Sequence, residues 1–144
     1  MPFFSRTHFQ ECVPNLEKRL MLRILIIDDN QSSATVLALL LQRFGHETKT
    51  AFDGEEALAT ARSFSPEVVL LDIGLPKLNG YEVCRWIRAQ PCAHKVAIIA
   101  QTGWGQEESR RKTTEAGFDY HMVKPLDPSA ILKILDDLMK EKSE

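Results

Sequence analysis

Short apolar runs alternate with longer segments of helical periodicity from residue 22 to the end of the chain. Runs rich in β-branched residues predict five strands, at 24–27, 46–52, 68–71, 96–100 and 118–123. Most of these runs are continuously apolar, which is typical of strands covered on both faces in a parallel sheet. The second run is less apolar, so we expect that strand near an edge.

The segment 32–44 predicts the first helix, and Gly45 follows it where a left-handed residue is favourable. One side of this helix is predicted to consist of Val36, Leu37, Leu40, Leu41 and Phe44.

Four further helices follow the remaining strands, and capping residues predict where they begin or end. These residues are Asp53, Asn79, Gly117, Asp127 and Pro128. Five strand–helix units in series predict an α/β fold, a doubly wound five-stranded parallel sheet with helices on both faces.

The predicted domain spans residues 22–140 and is followed by a short charged tail, 141–144. Residues 1–21 form an N-terminal extension of unknown role. Its apolar residues Phe9, Val13, Leu16 and Leu20 have helical spacing and could dock on the domain, although Pro14 interrupts any long helix. We favour a loose tail, or an upstream start codon with the true start at Met21.

Composition fits one soluble globular domain. The chain has 144 residues, 44% of them hydrophobic and 26% charged, with a formal net charge of −2. This balance gives no electrostatic footprint for nucleic acid or an anionic membrane, and the basic run 110–112 is interpreted as a solvated helix face. No window reaches the roughly 18 apolar residues of a membrane span.

Three cysteines, Cys12, Cys84 and Cys92, form no C-x-x-C pair. Neither a zinc site nor a closed disulfide framework is expected from this odd number. We therefore predict reduced thiols and a cytoplasmic location.

Polar residues end four of the predicted strands. Asp28 and Asp29 follow the first strand, Asp72 the third, Thr102 the fourth and Lys124 the fifth. Ligands bind at the carboxyl ends of the strands in such sheets, so these side chains are expected to converge. Each alone is ordinarily a turn or solvated residue, but clustered carboxylates need a cation, and oxygen ligands favour Mg²⁺. This set of groups suits phosphoryl transfer to an aspartate.

These residues belong to four motifs in which the sequence resembles the CheY-like receiver domain of two-component response regulators, from about Leu22 to Leu138. The motifs are Ile26-Ile27-Asp28-Asp29, Leu70-Leu71-Asp72-Ile73-Gly74-Leu75-Pro76-Lys77-Leu78-Asn79-Gly80, Thr102-Gly103 and Val123-Lys124-Pro125. Their order and spacing together are very specific to this family. Because only a charged tail follows Leu138, we expect the single-domain form.

The resemblance implies a magnesium site and a phosphoacceptor. Asp72 is the expected phosphoacceptor and a metal ligand. Asp29 is implied as a direct Mg²⁺ ligand, Asp28 as a ligand acting mostly through water, and the backbone carbonyl of Gly74 as the last protein ligand.

The same resemblance assigns roles to three other residues. Thr102 is expected to hydrogen-bond the phosphoryl group, and Lys124 to pair with it and with Asp72; a cis Lys124–Pro125 bond is implied as well. His121 stands where the family often has Tyr or Phe, so it is a candidate switch residue together with Thr102. The alternative is that His121 only packs as a half-buried ring.

The implied function is that of a signalling phosphoacceptor that catalyses only its own phosphorylation and dephosphorylation. A histidine kinase or histidine phosphotransfer protein would be the donor. Since only a charged tail follows Leu138, a downstream protein is the expected target, with a homodimer possible and no nucleic-acid or membrane partner.

Three other functions remain open. A phosphorylation-independent binding module could share the fold. A magnesium-dependent phosphohydrolase would ordinarily have a second Asp where Gly74 stands, and a nucleotide or flavin carrier would need a glycine-rich phosphate motif that the sequence lacks.

Overall fold

The computed structural model describes residues 21–75, 79–91, 95–103, 109–124 and 126–143, with side chains omitted at 109, 110, 112, 113, 142 and 143. Several expectations lie outside this range. They concern residues 1–20 (with Cys12), residues 76–78, Cys92, Pro125, Glu144 and the side chains of the basic run at 110 and 112. In the described part of the chain no helix is long and apolar enough to cross a membrane.

Strands and helices alternate along the described chain. The strands are β1 (Arg23–Ile27), β2 (Glu47–Ala51), β3 (Val68–Asp72), β4 (Ala97–Thr102) and β5 (Tyr120–Val123). The helices are α1 (Gln31–Arg43), α2 (Gly54–Phe64), α3 (Gly80–Arg88), α4 (Ser109–Ala116) and α5 (Pro128–Ser143).

The five strands form one parallel sheet in the order β2-β1-β3-β4-β5. Every residue of β3 and β4 is buried, and apolar clusters cover the two faces of the sheet. The predicted doubly wound α/β fold is therefore confirmed, and β2 lies at an edge as its mixed sequence indicated.

Helix α1 packs on the sheet through a face that only partly matches the one predicted, since Leu41 is buried and Leu37 packs against the core as expected. Its buried residues are Ala34, Ala38 and Leu41, whereas Val36 is 67% exposed and Phe44 56% exposed. The prediction was wrong for these two residues because α1 has two apolar stripes. The stripe with alanines brings the helix axis closer to the sheet, and this stripe is the one buried.

The predicted capping residues are confirmed where the chain is described, and α1 begins and ends one residue before its predicted bounds. Asp53 and Asn79 accept hydrogen bonds from the backbone N–H groups three residues later. Gly45 and Gly117 have φ of +94° and +108°, a conformation that favours glycine after a helix. Pro128 is the first residue of α5.

A buried histidine joins β1 to the segment that follows α1. His46 is 6% exposed, and its Nδ1 accepts a hydrogen bond of 3.1 Å from the backbone N–H of Leu22. The N–H of His46 itself donates to the carbonyl of Leu41 in the last turn of α1. Burial lowers the pKa of His46, so the neutral ring that can accept this hydrogen bond is favoured.

Arg88 at the end of α3 joins three segments on one side of the sheet. Its guanidinium donates to the carbonyls of Gly117 and Val96, both at 2.8 Å, and pairs with Asp119. These contacts fix α3 against the segments that begin β4 and β5.

Candidate functional site

Three carboxylates meet at the carboxyl ends of β1 and β3, two neighbouring interior strands. Ile27 and Leu71 are paired in the register of β1 and β3, so the residues that come next after them, Asp28 and Asp72, lie side by side. One carboxylate oxygen from each of Asp28, Asp29 and Asp72 lies within 4.8 Å of the others. Asp28 and Asp72 are buried, at 3% and 7% exposure, while Asp29 is exposed to solvent.

Backbone N–H groups orient the two buried carboxylates. Oδ1 of Asp28 accepts from the N–H of Asn30 at 2.9 Å, and Oδ1 of Asp72 accepts from the N–H of Gly74 at 3.0 Å. Both are contacts to a residue two positions on, which hold a short acidic side chain in one rotamer. The other oxygen of each carboxylate, Oδ2, takes no part in these bonds, and both Oδ2 atoms face Lys124.

The ammonium group of Lys124 lies between these two Oδ2 atoms. Its Nζ is 3.1 Å from Oδ2 of Asp28 and 3.2 Å from Oδ2 of Asp72. Partial burial alone would lower the pKa of Lys124, but its hydrogen bond to Asp28 and the charge of Asp72 outweigh that effect, so the pKa is raised. Lys124 is therefore a permanent cation at neutral pH, shared by two carboxylates.

Gly80, the first residue of α3, makes the position of Asp72 possible. Its N–H donates to the carbonyl of Ile73 at 3.0 Å. A Cβ at this position would lie 2.6 Å from Cα of Ile73 and 2.8 Å from the carbonyl oxygen of Asp72. Only glycine lets α3 begin directly against the end of β3.

Thr102 and His121 form a hydrogen-bonded pair at the ends of β4 and β5. Oγ1 of Thr102 is 2.9 Å from Nε2 of His121, and a longer contact of 3.5 Å reaches the carbonyl of Met122. Thr102 is 1% exposed, and its carbonyl accepts from the N–H of Lys124 at 2.8 Å. The hydroxyl is thus held within the same strand-end cluster as Lys124.

The donor set fits a hard divalent cation. Three carboxylates offer oxygen ligands close enough to share one ion, and the exposed Asp29 leaves a side open to water. The described contact of Gly74 is through its N–H, so a role for its carbonyl as a ligand stays a prediction.

The structure brings the sequence-predicted residues together but does not test their roles. Asp28, Asp29, Asp72 and Lys124 share one cluster, and Thr102 lies beside it with His121 as its partner. Sequence reasoning missed Gly80 as a positioning residue. The sequence did contain a signal for this role, because a glycine stands at the first position of a helix that begins soon after a strand.

Sequence comparison places the chain among receiver domains. The model of the response regulator receiver domain matches residues 24–136. The chain is 38% identical over 109 residues to the alkaline phosphatase synthesis transcriptional regulatory protein PhoP of Bacillus subtilis, covering 76% of this chain and 45% of that protein. It spans about half the length of the first curated relatives it matches. Protein PilH of Pseudomonas aeruginosa is 31% identical, covering 83% of this chain and 98% of that protein.

A solved structure of a receiver domain is also similar to this chain. It is the receiver domain of a sensor histidine kinase from Pseudomonas aeruginosa, with a magnesium ion coordinated in the active site cleft. It superposes with a TM-score of 0.74 at 30% sequence identity, covering 83% of this chain and 98% of that one.

Proposed function

The chain belongs to the response regulator receiver domain family, and from that premise we propose that Asp72 accepts a phosphoryl group from a phosphohistidine donor in the presence of Mg²⁺. The observation that supports this most directly is the sharing of one ammonium group, that of Lys124, by the buried carboxylates of Asp28 and Asp72. Such a buried, charge-compensated carboxylate beside an open acidic site is suited to attack on phosphorus.

In the proposed reaction a carboxylate oxygen of Asp72 attacks the phosphorus atom. The bond between phosphorus and the donor imidazole nitrogen breaks, its electron pair stays on that nitrogen, and an acyl phosphate forms on Asp72. The N–H of Gly74 orients the attacking carboxylate. Lys124 is close enough to neutralise phosphoryl charge as it arrives, so the protein contributes position and electrostatics.

A magnesium ion would be held by Asp28, Asp29 and Asp72, with the carbonyl of Gly74 as the predicted fourth protein ligand, and would neutralise the phosphoryl oxygens during transfer. The related kinase receiver domain with magnesium in its cleft supports this proposal. Asp28 and Asp72 are oriented by backbone N–H groups, so little reorganisation is needed to accept the ion.

We propose that phosphorylation changes a protein-binding surface. Thr102 would leave His121 to hydrogen-bond the phosphoryl group, and His121 would then reposition. The affected surface is formed by α4, β5 and α5, because His121 lies on β5. A phosphoryl group favours this state only through contacts that the other state lacks, and the Thr102 hydroxyl supplies one.

The proposed partners are a histidine kinase or histidine phosphotransfer protein as donor and a downstream protein as target, with a homodimer as a further possibility. On this proposal residues 22–140 form the receiver domain, residues 1–21 its extension and 141–144 a charged tail, acting in the cytoplasm. The only reaction catalysed is the chain's own phosphorylation and dephosphorylation.

The test is phosphoryl labelling of the purified chain by a small acyl phosphate and by a phosphorylated histidine phosphotransfer protein, with and without Mg²⁺. We expect stoichiometric, Mg²⁺-dependent labelling that Asp72→Ala abolishes. Asp136→Asn is the matched control, because Asp136 is an exposed carboxylate of α5 paired only with Lys140 in the described contacts. Stoichiometric labelling of Asp72→Ala would refute the assignment.

A further inference from the structure

A buried amide on β4 has no hydrogen-bond partner. Gln101 is 1% exposed, and in the described part of the chain its Nε2 is the one buried side-chain nitrogen or oxygen that lacks a partner. Such groups are rare in native proteins, because a buried amide that makes no hydrogen bond destabilises the fold. A state of the protein in which this amide is hydrogen-bonded is therefore favoured over one in which it is not.

Gln101 lies beside the proposed acceptor carboxylate on one face of the sheet. Its register partner on β3 is Asp72, and its register partner on β5 is Met122. Alternation along the strands places these three side chains on the face that also buries Leu70 and Ile99. Neighbouring strands are about 4.8 Å apart, so a change of rotamer is enough for the amide of Gln101 to reach the Asp72 carboxyl group.

The side chain of Lys124 crosses this part of the sheet. Lys124 follows β5, yet its Nζ lies 3.2 Å from Oδ2 of Asp72 at the end of β3. Strand β4 stands between β3 and β5, so the lysine side chain has to pass over the end of β4, where Gln101 lies. The ammonium group and the amide are thus two donors placed around one carboxyl group, and only the ammonium group bonds to it.

We propose that Gln101 is a positioning residue of the phosphorylated site, an inference that rests on the proposed function. When the ammonium group of Lys124 moves to the oxygens of the phosphoryl group, it gives up its hydrogen bond to Asp72. The side-chain N–H of Gln101 then donates to the Asp72 carboxyl group and holds it in place. The amide gains a hydrogen bond that it lacks in the unphosphorylated chain, and a contact made in one state only favours that state.

The side-chain amide resonances of Gln101 report this hydrogen bond in the full chain. Beryllofluoride with Mg²⁺ is the probe, because it mimics a phosphoryl group on an aspartate and is not hydrolysed. The resonances are assigned by their loss in Gln101→Met. We expect one amide proton of Gln101 to move downfield when beryllofluoride is added to the Mg²⁺-loaded chain, since that proton acquires a carboxyl oxygen as its acceptor.

Replacement of the amide should act in opposite directions on the two states. Gln101→Met keeps the length of the side chain and removes its N–H groups. Without beryllofluoride the variant should unfold at a higher urea concentration than the wild type, because it no longer buries an unpartnered amide. With Mg²⁺ present it should bind beryllofluoride about tenfold more weakly, because the loaded state loses a hydrogen bond to a carboxyl group. A residue that only fills the core would change stability and leave this affinity unaltered.

Ile99→Met is the matched control, because it places the same new side chain on the same strand and face. Ile99 pairs with Leu70 and Tyr120, two residues further from the carboxyl ends of the strands, so this variant should bind beryllofluoride as the wild type does. Wild-type affinity in Gln101→Met, or an unchanged Gln101 resonance in the loaded wild type, would overturn the inference. If the wild type itself takes up no beryllofluoride, the proposed function fails, and this inference with it.

Discussion

The hydroxyl of Thr102 and the imidazole of His121 are hydrogen-bonded at 2.9 Å, which joins the ends of β4 and β5 beside the carboxylate cluster. On the proposed mechanism, the Thr102 hydroxyl would turn towards a phosphoryl group on Asp72 and away from His121. The pair would then couple occupancy of the site to the position of a side chain on β5, an edge strand of the sheet.

Phosphorylation is accordingly expected to change the environment of His121. In the wild-type chain, the ring nitrogen resonances of His121 should shift when a small acyl phosphate and Mg²⁺ are added, because Nε2 loses its partner on Thr102. Thr102→Val should show altered resonances before any phosphoryl donor is present. A shift of the same size in Asp72→Asn would show that the donor acts elsewhere.

Removal of Lys124 should make the free energy of unfolding depend more strongly on Mg²⁺ than it does in the wild type. In Lys124→Met the carboxylates of Asp28 and Asp72 lose their shared cation, and we expect a loss of about 1–3 kcal/mol in the free energy of unfolding at neutral pH. Binding of Mg²⁺ to the folded state alone should restore much of this loss. Urea unfolding with Mg²⁺ or with a chelator measures both effects.

The control for that experiment is Lys140→Met, which removes an exposed ion pair with Asp136. Its stability should change little with or without Mg²⁺, because such pairs contribute little. If neither Lys124→Met nor the wild type gains stability when Mg²⁺ is added, the three carboxylates do not form one cation site.

Gly80→Ala should destabilise the fold although it adds a single methyl group. The new Cβ would lie 2.6 Å from Cα of Ile73, so α3 or the end of β3 has to shift, at a cost of about 1–3 kcal/mol. We also expect slower phosphoryl labelling, since the displaced backbone includes that of Asp72. Thermal unfolding and labelling rate are the two measurements.

Gly74→Ala is the matched comparison for Gly80→Ala. A Cβ at position 74 would lie 3.7 Å from Oδ1 of Asp72, an ordinary contact, and Gly74 is not among the residues with positive φ. This variant should unfold close to the wild-type temperature. Equal destabilisation by the two substitutions would contradict the close approach of α3 to β3.

His46 should make stability fall in mildly acidic solution. Its folded-state pKa lies below its ordinary value of about 6.5, so the unfolded chain binds more protons between those two values. The contribution of the neutral ring is complete above the unfolded pKa and is lost as the pH falls from there through the folded pKa.

His46→Gln isolates this contribution, because an amide oxygen can still accept from the N–H of Leu22 but does not titrate. Between about pH 7.5 and about pH 5.5, the wild type should lose stability relative to the variant. Urea unfolding at several pH values measures the difference. A constant difference would mean that the ring is not held neutral.

The strand-end residues of the site could be predicted because parallel strands place them by position alone. Asp28, Asp72, Thr102 and Lys124 each end a strand or follow it at once, so an apolar run followed by a polar residue was sufficient. Their chemical roles could not be tested this way, because a role depends on what binds.

The burial of α1 could not be predicted correctly, for a physical reason. Both of its stripes are apolar, and periodicity does not say which one faces the sheet. Sequence reasoning also did not predict that Arg88 contacts three acceptors, or that Gly80 lies directly against the end of β3. Each depends on atoms from segments far apart in sequence, which no local pattern records.

The order of the strands has a mechanical consequence. Asp28 follows β1 and Asp72 ends β3, two interior strands whose residues are almost all inaccessible to solvent, whereas His121 lies on β5, an edge strand with four partly or fully accessible residues. A displacement of β5 would therefore disturb less packing than one of β1 or β3, and it would reach the site through Lys124, which directly follows β5, rather than through the buried carboxylates. On the proposed mechanism, the response would thus take place at the margin of the sheet while Asp28 and Asp72 keep their positions.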